Sequence, residues 1–133
     1  MTTRDPNVPE TWAEVEVRLA DLGVACWADD IPGHFTDLIY PLALRAPEVC
    51  TGAGWGKPSD IWSLECAVFQ LVLGQSLIKP DVIPESTPYI HTALLVDYPA
   101  QMVKRGKYSH LYFEKDGPLN IPLPGRTSLK KRV

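Results

Sequence analysis

Three short runs hold the side chains of this 133-residue chain most able to do chemistry: Asp21-Leu22-Gly23, Ala46-Pro47-Glu48 and Asp60-Ile61-Trp62-Ser63. Taken singly, each has a plain backbone role. A carboxylate followed by glycine marks a turn. Proline is tolerated at the first helical position, so Ala-Pro-Glu reads as a helix start. Asp60 follows Ser59, a good helix cap. The rest of the inventory is thin. His34, His91 and His110 have no helical or finger-like spacing, which sets metal binding through them aside. Cys26, Cys50 and Cys66 form no CxxC pair. An odd count without a secretory signal reads as reduced thiols in the cytoplasm or nucleus.

The element that must position these runs is the stretch 59–74, SDIWSLECAVFQLVLG. Ser59 caps it, Gly74 stops it, and between them the residues are apolar on nearly every side. Such a helix is buried. It is shorter than the roughly 20 apolar residues a membrane span needs, and it carries Asp60 and Glu65. Cys66 upon it is a packing residue. Upstream, Val15, Val17 and Leu19 alternate with Glu14, Glu16 and Arg18, a strand pattern, and 24–27 is its hairpin partner. Residues 40–44 are extended but interrupted by Pro41. Downstream, a second helix spans about 89–104, bent or divided by Pro99. Tyr108, Leu111, Tyr112 and Phe113 suit one more short helix.

The bulk properties bound the rest. The length allows one domain. A net charge of -3 and a pI near 5.5 give no electrostatic case for nucleic acid. Lys130, Lys131 and Arg132 are a solvated basic end. Thirteen prolines, about twice the usual share, make much of the chain loop. No membrane span or lipidation motif is present.

Together, in this order and at these separations, the three runs resemble the activation segment and following core helix of protein kinases. Leu22 in place of phenylalanine, then Ala25-Cys26-Trp27, His34-Phe35-Thr36 and Gly106-Lys107-Tyr108-Ser109 with Phe113, are similar to the kinases of serine/arginine-rich splicing factors. Tyr40-Pro41-Leu42-Ala43-Leu44-Arg45 and Ile121-Pro122-Leu123-Pro124 resemble fungal members of that group. The resemblance implies an α+β fold: a partial, mainly helical C-terminal lobe with a short β-hairpin before the activation segment. It sets a flexible lead-in at 1–11, the partial lobe at 12–116, the activation segment at 21–48, the core helix at 59–73 and an irregular tail at 117–133.

The resemblance also implies roles. Asp21 is the family's Mg²⁺-binding, and hence ATP-binding, aspartate, with Gly23 permitting the turn that aims it. Arg45 helps order the activation segment, and Glu48 pairs with a buried arginine. Asp60 accepts backbone N–H groups of the catalytic loop, beside Trp62. Asp97 lies on the helix that meets arginine-rich substrates, although Ile90 stands where another acid is expected. Thr36 and Tyr40 fall in the activation segment, where a phosphate could be held by Arg45, but no basic cluster awaits one, so they read as a loop hydroxyl and a packing tyrosine.

Activity turns on the departures from the family pattern. The sequence contains no Gly-rich phosphate loop, no strand lysine in a Val-Ala-Ile-Lys context and no His-Arg-Asp loop. The general base, phosphate clamp and second metal ligand are therefore absent, and Asp21 alone does not transfer a phosphoryl group. Glu65 replaces the usual glycine of the core helix. Two expectations result. One is a serine/threonine kinase fragment, in a family that uses ATP and Mg²⁺ on Arg/Ser-rich proteins, itself inactive. The other is a non-catalytic module that binds a basic Arg/Ser-rich partner through Asp97, without nucleic acid or membrane. Either way, part of the core helix faces water, a liability for solubility that leaves the isolated chain poorly soluble or molten.

Overall fold

The computed structural model describes residues 16–28, 36, 39–80, 83–95, 97–115, 117–120 and 125. Among these described residues there are four α-helices: α1 (Pro47–Thr51), α2 (Lys57–Leu73), α3 (Thr87–Leu94) and α4 (Ala100–Arg105). Single 3-10 turns stand at Leu22–Val24, Leu42–Leu44, Pro84–Ser86 and Ser109–Leu111.

Helix α1 begins on Pro47, whose missing N–H is no loss at the first helical position. It ends on Gly52, which takes φ 67° and returns its own N–H and that of Ala53 to the last turn. Ala46 and Val49 are fully buried and with Ile39 make the first core, against which Tyr40, Trp55 and Trp62 pack. A second core of Val103, Tyr112 and Phe113 gathers Tyr98, Tyr108 and Leu119. The two halves are tied by α1: Tyr108 N–H donates to Thr51 O at 2.8 Å, and Lys107 N–H to Gly52 O at 3.2 Å.

Helix α2 starts two residues before Ser59, with Gly56 at its N-cap. It stops on Gly74, whose φ of 68° is the left-handed conformation that ends a helix. The expectation of burial on nearly every side is corrected. Only Ser59 and Cys66 are buried, while Ile61, Leu64, Val68, Leu71 and Val72 are all exposed, Leu71 at 84%. An apolar helix is buried only if neighbouring elements exist to cover it, and among the described residues they cover one side. Leu71→Lys with Val72→Gln is expected to leave stability within about 0.5 kcal/mol. It should also lower concentration-dependent light scattering.

The stretch 89–104, read as a helix bent or divided by Pro99, holds two helices. Leu95 leaves helical geometry, and Pro99 caps α4, because proline cannot continue the α3 ladder. The expected β-hairpin is not found among the described residues. Residues 16–20 have no regular structure, Val17 and Leu19 are 87% and 92% exposed, and Leu22–Val24 is a 3-10 turn. A lone two-stranded hairpin needs a third strand or a helix to pack on, and alternation of residue types does not supply one. The one bridge described joins Phe113 to Leu119, antiparallel, so the tail from 117 starts by folding back on the second core. The lead-in 1–11 lies outside the described residues.

Candidate functional site

Two of the three runs meet. Helix α1 presents Glu48 in its first turn, and Glu48 Oε1 accepts the Ser59 hydroxyl at 2.8 Å. Ser59 is fully buried. A serine that reads as a cap is therefore the partner of Glu48. That explains why α2 begins two residues sooner: the Ser59 hydroxyl is spent on another element. One turn on, Ser63 Oγ donates to Leu44 O at 2.9 Å and lies 3.0 Å from Ser59 O.

The segment before Ala46 is held down by side chains on both sides. Arg45 donates from Nε to Ile39 O at 3.2 Å and from Nη2 to Tyr40 O at 3.0 Å. Trp55 Nε1 donates to Thr36 O at 3.0 Å. Tyr40 adopts φ 64° and donates its hydroxyl to Asp60 Oδ1. Burial first, then the Asp60 carboxylate beside it, pushes the Tyr40 phenol far above its ordinary range. Asp60 thus receives a tyrosine hydroxyl from its own chain. Sequence reading missed Tyr40 as its partner; the only signal is a tyrosine before proline ahead of Ala-Pro-Glu.

Trp62 packs its ring edge-on to His91, centroids 5.0 Å apart, and His91 stacks on Tyr98. His91 is 2% exposed and its Nδ1 lies 2.6 Å from the Tyr98 hydroxyl. Burial holds its pKa down at about 3, so it is a neutral core residue. Cys50 is likewise buried, its thiol pushed up to about 12 by desolvation, which makes it unreactive.

The first run stands apart. Asp21 is exposed, with φ 61° and no side-chain capping bond, at the start of the turn Leu22–Val24. The left-handed residue of this run is Asp21, while Gly23 has an ordinary φ and open space to 4 Å around the place a Cβ would take. Mg²⁺ bound with a nucleotide takes one or two carboxylates plus phosphate oxygens. Among the described residues, no three His, Cys, Asp or Glu side chains come together. Asp97 is exposed in the link between α3 and α4. What the assembled residues do chemically is hold a backbone segment against the start of a helix. Among the described residues, no helix is long and apolar enough to cross a membrane.

No protein-family model matches the chain. Among curated proteins it is similar to the serine/threonine-protein kinase SKY1 of Saccharomyces cerevisiae, 38% identical over 123 residues, 86% of this chain and 16% of that kinase. It is 36% identical over 124 residues to the SRSF protein kinase 3 of Mus musculus, covering 89% of this chain and 21% of that kinase. With the protein kinase dsk1 of Schizosaccharomyces pombe it shares 39% identity over 111 residues, 80% of this chain and 20% of that protein. The chain spans no more than about a fifth of the length of these relatives. Its likeness to a segment of protein kinases, and among them to SR-protein kinases, is thereby shown. Yeast and mammalian relatives match at similar identity, which singles out no fungal branch.

Proposed function

We propose, on the premise that the chain resembles a segment of the SR-protein kinases, that it is the part of a kinase C-terminal lobe that carries the end of the activation segment and the helix beneath it. The whole protein would pass the γ-phosphoryl group of ATP, with Mg²⁺, to serines of Arg/Ser-rich proteins in the cytoplasm or nucleus. The observation that carries this reading is the Glu48–Ser59 tie, which joins Ala-Pro-Glu to the first turn of α2 in a chain whose relatives are named as kinases. Asp21 would supply one ligand to the metal, and Arg45, Glu48, Asp60 and Trp62 would hold the segment that faces substrate. Asp97 would attract arginines.

These 133 residues by themselves do not transfer a phosphoryl group in this reading. Phosphoryl transfer rests on positioning and charge neutralisation by a base, a phosphate clamp and metal ligands acting together. The sequence holds no Gly-rich loop, Val-Ala-Ile-Lys or His-Arg-Asp.

Two measurements test the proposal. Purified chain, incubated with labelled ATP, Mg²⁺ and an Arg/Ser peptide, is expected to give no transfer above a no-protein control; transfer that vanishes with Asp21→Ala would overturn the inactivity. A SKY1 kinase whose matching segment is replaced by this chain should keep activity within about tenfold, a tolerance of about 1.4 kcal/mol in the barrier. In that chimera Asp21→Ala should abolish it. A chimera that folds and is dead with Asp21 in place sinks the kinase reading.

A further inference from the structure

We propose that Tyr40 is a latch that holds residues 39–45 on α2, and that phosphorylation of its hydroxyl opens it. An aromatic residue in the left-handed region is uncommon and persists only where its surroundings over-determine it. At Tyr40, with φ 64°, three things do so. Its hydroxyl donates to Asp60 Oδ1, twenty residues on. Arg45 grips the carbonyls of Ile39 and Tyr40 itself. Its half-buried ring packs on the Ile39–Ala46–Val49 core.

The tie lies at the surface, since Asp60 is exposed, and so within reach of another enzyme. The acids that bear on the phenol are Asp60 and, more weakly, Glu48, while the Arg45 guanidinium is committed to backbone carbonyls. A tyrosine kinase acting with ATP would form a bond from Tyr40 Oη to the γ-phosphorus. The bond from that phosphorus to ADP breaks, its electron pair leaving with ADP, and the hydroxyl proton passes to that enzyme's base. The product loses the donor and sets about two negative charges beside Asp60 and Glu48, a placement that repels. With that tie replaced by repulsion, the Arg45 grip and the ring packing alone do not hold the left-handed backbone, so residues 39–45 lift from α2 and uncover Trp55 and Trp62. The device is independent of what the whole protein catalyses.

Hydrogen exchange on the full 133-residue chain, with phosphotyrosine genetically encoded at position 40, tests this. The reporters are the amides of Leu44 and Arg45, which donate to Pro41 O and Leu42 O; the references are those of Leu95 and Gly106, in the α3 and α4 ends. Phosphotyrosine is expected to speed the reporters about a hundredfold and leave the references unchanged. In an Asp60→Asn background the rise should fall to about tenfold, because the donor is still lost but one repelling charge is gone. Phosphatase treatment should restore slow exchange. Should the phosphorylated chain fail to fold, Tyr40→Phe replaces it and must speed the reporters about tenfold. No rise at Leu44 and Arg45, or a rise of equal size at the references in both forms, overturns the latch.

Discussion

Alanine at Gly106 is expected to destabilise the chain by about 3 kcal/mol, the upper end for overpacking a filled site. A Cβ built there lies 2.1 Å from Ser109 Oγ, 2.7 Å from Thr51 O and 2.9 Å from Thr51 Cβ. The serine side chain can turn away; the Thr51 carbonyl is backbone, and it is already the acceptor of Tyr108 N–H. Gly106 has φ -70° and ψ 117°, values open to any residue, so the effect is one of space and not of backbone freedom. Urea unfolding, followed by tryptophan fluorescence, should show the midpoint fall in Gly106→Ala. Ser109→Gly should recover only part of the loss, since the Thr51 contacts remain. Gly23→Ala is the matched control: with open space around it and an ordinary φ, it should move stability by no more than about 0.5 kcal/mol. Equal effects at the two glycines would show that the Thr51–Gly106 packing does not exist.

Acid should weaken the fold through His91. Its folded pKa of about 3 is below its ordinary value of 6.5, because desolvation disfavours the imidazolium. Between those two values the unfolded chain holds a proton that the folded chain does not. Stability therefore rises with pH across that window and is lost as pH falls through it. From pH 7 to pH 5 the loss is about 2 kcal/mol. The geometry agrees: Nδ1 is engaged by the Tyr98 hydroxyl, and Nε2 is buried with no acceptor among the described residues, so a second N–H would be unsatisfied. Replacing both partners, His91→Phe with Tyr98→Phe, should remove most of the pH slope between pH 5 and 7 without leaving an orphan. If the double variant keeps the same slope, the linkage lies elsewhere.

How far the sequence could be read depended on whether a feature was local. Pro47, Gly52, Gly74 and Pro99 act on their own backbone, through a missing N–H or a left-handed φ, so helix starts and stops are visible in the residue types. Ser59 has the type of a cap, yet a residue eleven positions earlier claims its hydroxyl, and nothing in local pattern announces that. The alternation before Asp21 has the period of a strand, but a strand also needs a partner to accept its backbone groups, and periodicity is silent about partners. The same limit hid the candidate site. Its motifs were visible as runs with fixed spacing, whereas Tyr40 at Asp60 and His91 under Trp62 are long-range meetings.

The pairing of Thr51 and Gly52 carbonyls with the Tyr108 and Lys107 amides has a kinetic consequence. Helices of this size form within about a microsecond, each from its own residues. The end of α1 is completed only when a loop holding α2, α3 and α4 has closed, and closure carries its entropy before any contact rewards it. The slow step of assembly therefore belongs to the closure that docks the chain on a five-residue helix, and not to the formation of the long helix at its centre.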